Sequence, residues 1–194
     1  MQTPRGVVIF DLDGTLTKPV LDFDAIRAEI GLPPGPILEA LGHLPHEQQQ
    51  RAHAILERHE QTAAENAVLQ DDAQTTLAHI RSQGWPIAIL TRNARRWAEL
   101  VIADHDLPVD ALHTRDDGAI KPSPEPVRTL CAQTDAQPKS SWMVGDHLFD
   151  VQSGRAAGCR TVLFAADPAS QRFAASADFT ITRLSELCDL INGD

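Results

Sequence analysis

Short unbroken apolar runs alternate along the chain with longer stretches that mix apolar and polar residues at helical spacing. The runs at 7–10, 87–90, 142–144 and 161–164, with a weaker one at 111–113, have the length of buried strands. Between them, 72–83, 95–104, 124–134 and 151–157 have helical length and composition. Strand and helix in alternation predict an α/β fold: a doubly wound, mostly parallel sheet joined by right-handed crossovers, with helices on both faces. Ligands in such sheets bind beyond the carboxyl ends of the strands, where the strand order reverses.

One interval breaks the alternation. From about Lys18 to Val68 there is no strand pattern, only helical stretches near 22–30, 36–43 and 46–68, punctuated by Gly31, Pro33, Pro34, Gly35 and Pro45. This predicts a small all-helical insertion at 18–68, with 1–17 and 69–194 forming the α/β core. The insertion is acidic, with four Lys and Arg residues against eight carboxylates. No internal repeat or low-complexity segment is visible.

Composition narrows the partners. The 194 residues carry a formal net charge of −10, which argues against a general nucleic-acid binder or a ligand of anionic membranes. An acidic chain that handles phosphate must gather positive charge locally, and only three lysines (Lys18, Lys121, Lys139) are available. Cys131, Cys159 and Cys188 are widely spaced and form no C-x-x-C, so they read as reduced thiols of a cytoplasmic protein. Neither a signal peptide nor a membrane span is expected from the pattern.

The chemistry-bearing residues fall where the predicted strands stop. The first strand runs into Asp11-Leu12-Asp13-Gly14-Thr15, two carboxylates one residue apart closed by a glycine turn. Alternation lets Asp11 and Asp13 project to the same side. Acids that close repel unless a cation sits between them or one holds a proton. That suits a metal-assisted reaction in which one carboxylate attacks and the other moves a proton, although a polar Asp-Gly turn is the plainer alternative. After the second strand comes Thr91-Arg92-Asn93, whose hydroxyl and amides suit a phosphate oxygen or, equally, a helix cap near Ala94. Lys121 lies beside Pro122, Pro124 and Pro126, on a rigid loop that aims its ammonium at little conformational cost. The fourth strand delivers Gly145-Asp146, with Asp150 one helical turn on. Mg²⁺ needs one or two carboxylates plus water and substrate oxygens, and Asp11 and Asp146 are the candidates to supply them.

The set D-x-D-G-T, a threonine after the second strand, a lysine before a proline-rich helix start and G-D-x-x-x-D resembles the haloacid dehalogenase-like (HAD) hydrolase superfamily. Asp11, Asp13, Thr91, Lys121, Asp146 and Asp150 stand at the matching positions, and phosphoglycolate phosphatase-like members are similar in layout. The resemblance implies a Rossmann-like core and a cap, here short, inserted after the first strand. It implies Asp11 as nucleophile forming an aspartyl-phosphate, and Asp13 as acid and then base, with its backbone carbonyl on the metal. Thr91 would hold a phosphoryl oxygen, Lys121 would neutralise charge, Asp146 would ligate Mg²⁺, and Asp150 would support the metal shell or Lys121. Arg92 is a further candidate for the substrate field.

The expected activity is therefore Mg²⁺-dependent hydrolysis of a small soluble phosphate monoester. Asp13 separates this from dehalogenases, and the absence of a cap lysine other than Lys18 from phosphonate-cleaving relatives. A sugar-phosphate mutase of the same superfamily and a non-catalytic binding relative are the alternatives. A phospho-acceptor signalling domain would carry its aspartate on the third strand. His147 departs from the small hydroxyl residue common at its position, so no role is carried over to it. His46, His53 and His59 are too widely spaced for a tight metal cluster and read as a solvated helix face. Trp85 and Trp142 read as packing residues.

Overall fold

Val7, Val8, Ile9 and Phe10 are fully buried, and their side chains divide between the two faces of a sheet. Val8 and Phe10 pack in one hydrophobic cluster and Val7 and Ile9 in another, as the two-residue strand period dictates. The computed structural model describes residues 6–193. Within them the chain runs β1 (Val8–Phe10), α1 (Phe23–Ile30), α2 (Ile37–Leu41), α3 (His46–Glu65), α4 (Ala73–Ser82), β2 (Ile87–Leu90) and α5 (Arg95–Asp104). It continues with β3 (Ala111–His113), α6 (Glu125–Gln133), β4 (Trp142–Gly145), α7 (Leu148–Ala157), β5 (Arg160–Phe164), α8 (Pro168–Gln171), β6 (Phe179–Ile181) and α9 (Glu186–Asn192).

The sheet has the order β3-β2-β1-β4-β5-β6, and every pairing is parallel. Ile9 of β1 lies between Ala88 of β2 and Met143 of β4, so the order reverses at the β1/β4 boundary. Leu77 and Ile80 of α4, Val101 of α5 and Leu187 and Ile191 of α9 cover one face; Val127, Leu130 and Cys131 of α6 cover the other. Trp142 is buried within β4 itself. Cys131 and Cys159 are buried and Cys188 half-buried, all as free thiols.

Three elements go beyond the sequence expectation. β6, α8 and α9 were not predicted, because 165–193 has no clean periodicity. β6 is held instead by Asp178, whose Oδ2 accepts from both the amide and the hydroxyl of Thr161 at 2.8 Å.

Residues between β1 and α4 form α1, α2 and α3, which close on a small cluster of their own around Ile26, Leu41, Ala52 and Leu56. α1 starts where Asp22 Oδ1 accepts from the Ala25 amide and stops at Gly31, which is left-handed at φ 87°. The chain leaves and rejoins the core side by side: Lys18 N donates to Val68 O and Gln70 N to Leu16 O, at 2.7 and 2.9 Å. Three carboxylates of these helices pair with core arginines: Glu39 with Arg92, Glu57 with Arg96, and Glu60 with Arg115. No helix among the described residues is long and apolar enough to cross a membrane.

Candidate active site

Asp11 continues the β1 ladder by one bond, its amide donating to Val144 O at 2.8 Å, so its position is set by the centre of the sheet. Lys121, 3% exposed, comes to it from the loop before α6: Nζ lies 2.5 Å from Asp11 Oδ1 and 2.7 Å from Asp150 Oδ1. Ser123, two residues past Lys121, accepts on its carbonyl from Ser153 Oγ at 2.5 Å, tying that loop to α7. Asp150 also accepts the His147 amide at 2.9 Å, which caps α7. One carboxylate thus holds both the lysine and the helix that starts beside Asp146.

Asp13 has different partners. Its Oδ2 lies 3.4 Å from Thr91 Oγ1 and 3.4 Å from Asn93 Nδ2. Thr91 Oγ1 also accepts the Asn93 amide at 3.0 Å, and Asn93 Oδ1 accepts the Ala94 amide at 2.8 Å, which fixes the turn; Ala94, the N-cap of α5, receives no side-chain cap. Between the two acids and β4 sits Gly14, at φ 85°. A Cβ there would stand 2.6 Å from Asp146 Oδ2, so the turn must carry glycine for Asp146 to approach. Thr15 Oγ1 donates to Asp146 Oδ1 at 3.4 Å.

The electrostatics follow from burying several acids around one ammonium. Burial raises Asp11 well above the ordinary carboxylate range, with Lys121 opposing and Asp150, Asp146 and Asp13 adding to the rise. Burial also raises Asp13, and it pushes Asp146 up to about 7 with help from Asp150. Lys121 is drawn down by burial, but Asp11 and Asp150 more than offset that and hold it above the usual lysine value. Carboxylate oxygens of Asp11, Asp146 and Asp150 all lie within 4.8 Å of one another. Hard oxygen donors at that spacing, short of positive charge, fit a divalent cation such as Mg²⁺. Asp150 is already committed to Lys121 and the α7 cap, which leaves Asp11 and Asp146 the freer ligands.

The six sequence candidates gather round one cleft of about 580 Å³ at the carboxyl end of the sheet. Arg92 lines it too, but its guanidinium is taken: Nη1 donates to Lys121 O at 2.8 Å, Nη2 pairs with Glu39 at 2.7 Å, and the plane lies over Phe149. Asn93 and Glu60 also line the cleft and were not among the sequence candidates. Asn93 stood in the Thr91 turn as an alternative cap, whereas Glu60 and Arg115 meet across 55 residues. Glu60 is buried beside Asp13, and burial raises it against the opposing pull of Arg115. His147 fits edge-on between Phe149 and Phe173, at ring distances of 4.7 and 5.0 Å.

Known proteins share this arrangement of chain and fold. A family profile described as haloacid dehalogenase-like hydrolase matches residues 18–164, which include Thr91, Lys121, Asp146 and Asp150 and begin just after the Asp11–Asp13 turn. A haloacid dehalogenase-like hydrolase domain-containing protein of Arabidopsis thaliana is 30% identical over 82% of this chain and 70% of its own length. A phosphoglycolate phosphatase of Chromobacterium violaceum is 27% identical, covering 95% of each chain. A solved hydrolase from Pseudomonas syringae superposes with a TM-score of 0.81 over 96% of this chain and 98% of that one; at 19% identity this shows the fold alone. Since the profile spans most of the chain, and a relative at that identity most of it again, this protein belongs to the haloacid dehalogenase-like hydrolase family.

Proposed function

We propose that this protein is a Mg²⁺-dependent phosphomonoester hydrolase that acts on a small soluble phosphorylated metabolite through an aspartyl-phosphate on Asp11. The observation that carries the reading is the division of labour between the two acids. Asp11 faces Lys121 at 2.5 Å, whereas Asp13 lies beside Thr91 and Asn93, away from the lysine; burial raises the pKa of both. A nucleophile needs a neighbouring cation to approach a phosphate dianion, and an acid must carry a proton to give.

In the first half-reaction an Asp11 oxygen attacks phosphorus, the bond to the leaving oxygen breaks, and Asp13 protonates that oxygen. In the second, Asp13 takes a proton from water as its oxygen attacks phosphorus, the bond to Asp11 breaks, and phosphate is released. Lys121 offsets charge on the transferring group, and Thr91 would turn its hydroxyl to a phosphoryl oxygen. The carboxylates of Asp11 and Asp146, with the Asp13 backbone carbonyl, would hold Mg²⁺, and Asp150 would keep Lys121 in place. Bound Mg²⁺ supplies further neutralisation of the phosphoryl oxygens. Residues 18–68 would serve as a cap over the cleft, excluding water until the phospho-enzyme has formed. The Chromobacterium violaceum relative, a phosphoglycolate phosphatase, supports the reaction class.

The test is phosphate release from phosphoglycolate, sugar phosphates, nucleoside monophosphates and p-nitrophenyl phosphate, with Mg²⁺ and with EDTA. Release that needs the metal and vanishes in folded Asp11→Asn is expected. Full turnover by Asp11→Asn would sink the nucleophile assignment, and no release from any ester would sink the phosphatase reading.

A further inference from the structure

Phosphoryl transfer accounts for one end of the cleft; the residues at its other end must meet whatever the phosphate is attached to. Its volume of about 580 Å³ lies within the roughly 300–1,000 Å³ of clefts that enclose drug-sized ligands, far more than a phosphoryl group requires. From the inserted helices and their connections it is lined by Leu21, Phe23, Ile37, Leu38 and Leu56. The two charged groups this segment adds to the lining are already satisfied. Arg27 is bound to Asp24 at 2.6 Å and to Gly35 O at 3.1 Å, and Glu60 is bound to Arg115.

The core side of the mouth is aromatic. Phe149 and Phe173 flank His147, and each carries a guanidinium over its ring: Arg92 at 4.7 Å and Arg172 at 4.6 Å. Asp167, also in the lining, accepts the Ala169 and Ser170 amides on Oδ1 and the Ser170 hydroxyl on Oδ2, at the start of α8. Phe23 is 50% exposed, so its ring is open to a ligand in the cleft. On the inserted side, where Leu21, Phe23, Ile37, Leu38 and Leu56 line the cleft, a hydroxyl of a sugar or a short hydroxy acid would meet hydrocarbon. A flat ring would instead cover Phe23 and stack with the planar groups opposite.

We infer that the leaving group is a planar aromatic alcohol, so that the substrate class is an arylmethyl or heteroarylmethyl phosphate, its ring packed among Phe23, Phe149 and Phe173. This rests on the phosphomonoesterase reading of the cleft.

Calorimetric binding of four phosphonates to the Mg²⁺-loaded protein tests it: 2-phenylethylphosphonate, 2-naphthylethylphosphonate, hexylphosphonate and phosphonoacetate share a head group and differ in the body. Both aryl compounds should bind about tenfold more tightly than phosphonoacetate and more tightly than the hexyl compound. In Phe23→Ala, which removes a half-exposed ring, the aryl preference should fall at least about threefold. Preference for phosphonoacetate would assign the mouth to the Arg172 charge and overturn the inference. Equal binding of hexyl and aryl compounds would make the wall merely apolar and overturn it as well. Hydrolysis of p-nitrophenyl phosphate, scored separately, distinguishes the cases: a working phosphatase with the wrong preference fails this inference alone. A protein that neither binds the phosphonates nor hydrolyses any ester fails both.

Discussion

Replacing Arg115 by methionine should cost far more stability than any other single change at the seam between the inserted helices and the core. Glu60 is 4% exposed and the Arg115 side chain 14%, and two nitrogens of the guanidinium meet the two carboxylate oxygens. Removing one partner of a buried pair strands the other, at a cost of about 3–5 kcal/mol. The Arg96–Glu57 pair is about half exposed on both sides and is worth no more than about 1 kcal/mol. For a chain of this size the loss in Arg115→Met corresponds to a fall of roughly 10 °C in Tm. The sign with pH follows from Glu60, whose folded pKa is already raised by burial and is held down by Arg115. Without Arg115 it rises further, so the folded state binds the extra proton and stability falls as pH rises; the loss is larger at pH 8 than at pH 5. Urea denaturation of wild type, Arg115→Met, Glu60→Met and the double variant forms the assay. The double variant should recover much of the loss, giving a coupling of about 2 kcal/mol or more. Single losses below about 1 kcal/mol that simply add would show that the seam does not depend on this pair.

Further expectations can be checked with the same protein. Asp13→Asn should slow hydrolysis of alkyl phosphates by about a hundredfold or more and that of p-nitrophenyl phosphate much less, because nitrophenolate departs without a proton; equal losses would remove the acid role. Mg²⁺ at a hundred times its Kd should raise stability by about 2.7 kcal/mol by relieving the crowded carboxylates, and Asp146→Asn should blunt that gain in a thermal-shift titration; an unaltered titration would show that Asp146 is not a ligand. Asp117, though partly buried, is held down to about 2 by Arg95 and by the Thr114 amide and hydroxyl. Its contribution, at most about 2 kcal/mol, is present above pH 4 and is lost as pH falls toward 2, so the stability gap between wild type and Asp117→Asn should close over that window. A gap that stays constant from pH 5 to pH 2 would contradict the assignment.

The carboxylate-lined end of the cleft was legible in the sequence because Asp11, Thr91 and Asp146 each follow a strand directly. A short apolar run rich in β-branched residues and bounded by turn signals reads as a buried strand, and in a parallel sheet the residue that ends it emerges at the carboxyl edge. Asp11, Thr91 and Asp146 were placed that way, and Lys121 stood out through scarcity of lysine and the prolines around it. Alternation of short apolar runs with helices likewise settles the fold class, since periodicity is a local property of the chain. The helical insertion was visible for the same reason, as an absence of strand pattern between Lys18 and Val68.

Other features are decided only when distant segments meet. β6 has little pattern of its own and is pinned by Asp178 against Thr161. That Asp13 turns to Asn93, that Asp150 serves both Lys121 and the α7 cap, and that Glu60 finds Arg115 depend on packing across the sheet and its insertion. The apolar mouth is of the same kind: Phe23 in α1, Phe149 in α7 and Phe173 just past α8 are far apart in the chain, and no local rule predicts that they line one cleft. Sequence by itself determined which residues leave the strands and so which chemistry is possible. Tertiary structure decided which charges are neutralised and what surface lines the rest of the cleft, because those depend on the spatial neighbours of each side chain rather than on its neighbours in the chain.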